Sequence, residues 1–108
     1  MRTAAATVSE AAFARAAGLL EALCSRSSAS GDLDGLYAMA EHLALEFREF
    51  GLEAEIRDEA GMDGSTQPLL IARGPEVGSS HVLLLGHLDT VLPASTPRFV
   101  NGRLEGTG

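Results

Sequence analysis

The chain has 108 residues, of which 45% are hydrophobic and 21% charged, the proportions of one small soluble globular domain. Its 15 acidic and 8 basic side chains give a net charge of -7, which argues against the basic patch that nucleic acid or an anionic membrane surface requires. A single cysteine, Cys24, excludes an internal disulfide framework, and no apolar run approaches the roughly 20 residues that cross a bilayer, so a cytoplasmic protein is expected.

Residues 1–6 read as a frayed start, and Glu10 and Arg15 interrupt what would otherwise resemble a targeting peptide. Thr7 and Glu10 have the spacing of a capping box, in which the hydroxyl takes a free helix amide and the carboxylate reaches back. Phe13, Ala16, Ala17, Leu20 and Cys24, widened by Leu19 and Leu23, then recur at helical spacing and predict a first helix with one apolar face. The stretch from Ser25 to Gly31 holds four serines and a glycine, and reads as a loop. A second helix is expected from about Asp34 to Phe50, with Leu36, Tyr37, Ala40, Leu43, Ala44 and Phe47 inward. Asp32 and Asp34 favour its positive end, and Gly51 is placed to follow its C-terminus.

Beyond Gly51 the period changes from helical to alternating. Leu52, Ala54 and Ile56 alternate with Glu53, Glu55 and Arg57, the pattern of a half-buried strand. Gly61 to Ser65 reads as a turn and Leu69 to Ala72 as a second strand, so a hairpin is predicted. After a loop over Gly74 to Ser80 comes Val82-Leu83-Leu84-Leu85-Gly86, a continuous apolar run that fits a strand covered on both faces at the centre of a sheet. Arg98 to Val100 and Arg103 to Glu105 flank Asn101-Gly102, the dipeptide that a two-residue turn with positive φ prefers. The expected class is α/β: two helices, then a mixed sheet. No helix follows the central strand to cover its second face, so the fold is expected to be the incomplete amino-terminal portion of a larger domain.

One segment carries chemistry. Gly86-His87-Leu88-Asp89-Thr90 follows the most apolar predicted strand, the position where open α/β sheets hold ligands. His87 and Asp89 are two apart and share a face of extended backbone. A histidine binds a metal through one ring nitrogen while the other donates to a carboxylate, which fixes the tautomer. The same His-x-Asp pair is also compatible with a structural hydrogen bond or a surface pair, and the residue types alone leave both readings open. His81 reads as a boundary residue before the strand, and His42 as a structural or solvent-facing residue in mid-helix. Cys24 reads either as a small buried apolar residue or as a nucleophile with no histidine near it in sequence.

Gly86-His87-Leu88-Asp89-Thr90-Val91-Leu92-Pro93 resembles the first metal-binding motif of the M20 metallopeptidase family, which contains carboxypeptidase G2-like enzymes, succinyl-diaminopimelate desuccinylase, acetylornithine deacetylase and aminoacylases. Other landmarks fall in family order. Ser27 to Gly35, the helix carrying Ala38-Met39-Ala40, and Phe50-Gly51-Leu52 resemble the family's serine/glycine loop, second helix and turn into the first strand. Gly102-Arg103-Leu104 and Gly106-Thr107-Gly108 resemble the approach to a Gly-x-Gly-x-x-Asp-x-Lys motif. The resemblance covers nearly the whole chain after its first few residues.

The resemblance implies a zinc-exopeptidase-like catalytic domain, of which residues 1–108 are a part. It implies that His87 is a ligand of one of two zinc ions, with cobalt as a possible substitute, and that Asp89 is the catalytic-site aspartate that orients it. In such enzymes the metals polarise an amide carbonyl and activate a shared water, while a glutamate carries the proton to the leaving amine. The bridging aspartate would fall a few residues beyond Gly108. The glutamate, the remaining ligands and the domain through which family members often form homodimers would also lie elsewhere. Thr107 departs mildly from the arginine or proline that many relatives carry between the glycines. The implied intact protein cleaves a peptide or N-acyl amino acid, or deacylates a metabolic intermediate, and binds neither nucleic acid nor membrane. This chain alone is expected to hold zinc weakly and to be inactive, and a non-catalytic orphan fragment or a binding module are the readings that compete with it.

Overall fold

A computed structural model describes residues 7–76 and 78–106. The frayed start expected over residues 1–6, and the Thr107-Gly108 end of the Gly-Thr-Gly motif, lie outside the described residues. Six elements follow in order: α1 (Glu10–Cys24), α2 (Leu33–Glu49), β1 (Glu53–Ala60), β2 (Thr66–Arg73), β3 (Arg98–Val100) and β4 (Arg103–Glu105). The architecture mixes helix and strand, as expected.

The helices start where side-chain oxygens relieve free amides. Ser9, not Thr7, caps α1: its hydroxyl accepts from the Ala12 amide at 3.1 Å. Glu10 is then the first helical residue, too early in the helix to serve as the carboxylate of a capping box. Asp32 caps α2 by accepting from the Gly35 amide at 3.1 Å, while the Ser27 hydroxyl donates to its other oxygen at 2.9 Å. The end of α2 is equally defined. Gly51 takes φ +84°, its amide donates to the Arg48 carbonyl at 2.9 Å, and the Leu52 amide donates to the Phe47 carbonyl at 3.1 Å. That pair of bonds closes the last turn, and only a residue tolerant of positive φ can make it.

Helix α2 and the β1–β2 hairpin form the packed unit. Among the described residues the buried apolar side chains are Leu36, Met39, Ala40 and Ala44, all on α2. Tyr37, Leu43 and Phe47 are half-buried, and Met39 joins the core although the apolar stripe read from the sequence omits it. Strands β1 and β2 pair antiparallel from Glu53 opposite Arg73 to Ala60 opposite Thr66. Helix α1 buries no residue: Phe13 is 67% exposed, and Arg15 reaches Glu49 of α2 at 3.1 Å and lies over the ring of Phe50, just past the end of α2, at 4.9 Å. Strands β3 and β4 form a separate hairpin closed by Asn101 at φ +50° and Gly102 at φ +76°, the two-residue turn expected of Asn-Gly.

The central strand departs from expectation. Residues 82–86 have no ladder partner among the described residues, and the sheets are antiparallel pairs, not one mixed sheet. Val82, Leu83, Leu84 and Leu85 are 88, 79, 88 and 88% exposed, the reverse of a strand covered on both faces. The reason is pairing. A strand needs backbone partners on its edges, and among the described residues β1 pairs with β2 and β3 with β4, while residues 82–86 join neither hairpin. The radius of gyration, 16.4 Å, exceeds the about 13 Å of a compact domain of about 100 residues, in keeping with this open arrangement. No helix among the described residues is long and apolar enough to cross a membrane.

Candidate functional site

The segment after residues 82–86 is held at one point. The Thr90 amide donates to the Ser28 carbonyl and the Ser30 amide to the Thr90 carbonyl, each at 2.9 Å, a parallel bridge between Ala29 and Thr90. The loop before α2, itself fastened to the helix through Ser27 and Asp32, thereby fixes the backbone that carries Asp89. Beyond the bridge the Thr90 hydroxyl donates to the Leu92 carbonyl at 2.7 Å, which turns the chain away.

His87 and Asp89 come together at this point. The His87 Nδ1 lies 2.9 Å from the Asp89 backbone carbonyl and 3.3 Å from Asp89 Oδ1. Both neighbours are acceptors, so Nδ1 is the donor here, and in the neutral ring Nε2 is then the nitrogen with the lone pair. The aspartate therefore meets the ring both through its side chain and through its backbone carbonyl. The histidine side chain is 84% exposed and that of Asp89 48%. Asp89 is held below the ordinary carboxylate range, first by the Ser30 hydroxyl and more weakly by His87.

Ser30 is the contributor that the sequence did not single out. Its hydroxyl donates to Asp89 Oδ2 at 2.7 Å and lies 3.3 Å from the Thr90 carbonyl. It sits in a loop whose four serines look alike on paper, and a contact across 59 residues leaves no local signal.

An apolar cavity of about 600 Å³ adjoins the pair. Leu36 and Leu43 of α2, Leu70 of β2, and Leu84 line it together with His87 and Asp89. A concave apolar surface with two convergent polar groups has the character of a ligand site. His81 lies exposed at the start of the apolar segment, away from any strand. His42 faces a smaller cavity between the helices, where its Nε2 is enclosed without a hydrogen-bond partner. Cys24 is a free, half-buried thiol at the end of α1, beside Gly106.

As a metal centre the described residues are incomplete. They supply one imidazole with an adjacent carboxylate, and no group of three or more His, Cys, Asp and Glu side chains converges among them. A zinc site takes three or four protein ligands. Comparison of the chain with family models, with curated proteins and with solved structures finds no match.

Proposed function

We propose that residues 1–108 form part of the catalytic domain of a zinc-dependent exopeptidase or N-acyl amino acid amidohydrolase of the M20 kind, with His87 as a metal ligand and Asp89 as its orienting carboxylate. The observation that carries this reading is the state of the imidazole. Its Nδ1 is engaged by Asp89 at 2.9 and 3.3 Å, which leaves Nε2 as the nitrogen available to a metal. A carboxylate or carbonyl behind a histidine is how metal ligands are held in orientation and made better donors. The adjoining apolar cavity offers room for an aliphatic or acyl side chain. Zinc would supply Lewis-acid and water-activating chemistry there, and the further ligands would have to come from outside the described residues.

The test uses two chains. The nucleotides after the Gly108 codon are expected to encode Asp-x-Lys within a few codons. A chain extended through the further ligands is expected to hydrolyse N-acyl amino acids or dipeptides with zinc and to lose activity on chelation. Asp89→Asn in that chain should lower activity by about 10–100-fold, the usual cost of removing a ligand's orienting partner. Zinc-dependent hydrolysis by the 108-residue chain itself, or an extended chain with no zinc-dependent activity, would contradict the proposal.

A further inference from the structure

We infer that Ser30 is a positioning residue that holds the Asp89 carboxylate on His87 and so shares with the Asp89 carbonyl in setting the tautomer of the ring; this rests on the reading of His87 as a metal ligand. Asp89 has a freely turning carboxylate on a half-exposed side chain, and left alone it would rotate into water. Ser30 removes that freedom. Its hydroxyl donates to Oδ2 at 2.7 Å, a short charge-assisted bond, which turns the other oxygen, Oδ1, toward the imidazole at 3.3 Å. The Ser30 backbone is fixed beside Asp89, because its amide donates to the Thr90 carbonyl at 2.9 Å, one residue beyond Asp89.

The consequence falls on the ring. Two acceptors, the Asp89 carbonyl and Oδ1, hold the hydrogen on Nδ1 and leave Nε2 as the free lone pair that a divalent cation requires. Loss of the Ser30 hydroxyl frees the carboxylate, weakens one of the two acceptors and lets the hydrogen redistribute to Nε2, where it blocks coordination. The loop before α2 thus contributes to a site that lies 59 residues further along the chain.

Long-range ¹⁵N–¹H correlation spectra of the imidazole nitrogens test this on the 108-residue chain, at a pH where the histidines are neutral and with His42 and His81 as internal references. The wild-type His87 is expected to carry its hydrogen predominantly on Nδ1. Ser30→Ala should move it measurably toward Nε2, and Ser30→Thr, which keeps the hydroxyl, should restore the wild-type signature. Slow exchange of the Ser30 and Thr90 amides should persist in both variants. A Ser30→Ala spectrum identical to wild type overturns the role of Ser30 and leaves the ligand reading of His87 standing. A tautomer change accompanied by loss of amide protection also overturns it, since the residue would then act by holding the loop alone. A wild-type His87 already protonated on Nε2 overturns both.

Discussion

Glu55 shows how little a single exposed charge contributes here and how its contribution is read. Arg57 lies 2.8 Å and Arg73 2.9 Å from the same Glu55 oxygen, and these bonds hold its carboxyl below the ordinary value of 4.5, Arg73 contributing most. A carboxyl whose folded pKa is depressed stabilises the fold above its unfolded pKa and loses that contribution as pH falls through the folded value. The pair joins neighbouring strands in water, so the effect is small and screened by salt. Glu55→Gln should therefore lower the melting temperature slightly at about neutral pH, and the difference should shrink as the pH falls through the depressed folded value of Glu55 and its carboxylate takes up a proton. A difference that grew on acidification would reverse the sign of the argument. At this scale the sequence was a partial guide. The His87–Asp89 contact was legible because in extended backbone a two-residue spacing puts both side chains on one face, and residues 81–89 are non-helical. Ser30 was not, because nothing near it in sequence distinguishes it from Ser25, Ser27 or Ser28.

Among the elements, α2 carries most of the organisation. It provides the buried apolar side chains among the described residues, receives the hairpin, and anchors the loop that reaches Asp89. Its first turn is tight: a Cβ at Gly35 would collide with the Ser27 carbonyl oxygen and come 2.5 Å from Asp32 Oδ2. The carbonyl belongs to the backbone and can yield only by moving the loop. Gly35→Ala should cost a net of about 1–2 kcal/mol, overpacking outweighing the better helix propensity of alanine. At Gly18 in α1 a Cβ meets nothing within 4 Å, and Gly18→Ala should stabilise by about 0.5–1 kcal/mol. Urea denaturation of the two variants distinguishes the signs; equal effects would show that the loop before α2 is not clamped as described. The elements with local signals were the readable ones. Helical spacing gave α2 to within a residue or so, alternation and a glycine turn gave β1–β2, and Asn101-Gly102 gave the second hairpin. Residues 82–86 lacked such a signal for their pairing. A run of leucines states that a segment prefers burial, but the partners that bury it are written elsewhere in a chain.

For the whole molecule, two features belong together. The apolar run from Val82 to Leu85 is exposed, and the most chemically suggestive pair of side chains follows closely after it. A segment of valine and leucines at 79–88% exposure is an exposed patch that in soluble proteins marks a surface meant to be covered. On the proposed reading that cover and the further metal ligands come from the same source, so this chain has an oriented first ligand without a complete site. The central claim is then about His87 itself, and cobalt(II) titration of the ¹⁵N-labelled chain tests it most directly. The account predicts that paramagnetic shifts appear first at His87 Nε2, ahead of His42 and His81, with weak binding in fast exchange that His87→Ala abolishes. It would be contradicted by a His87 indifferent to the metal, or by tight stoichiometric binding, which a single oriented histidine cannot provide.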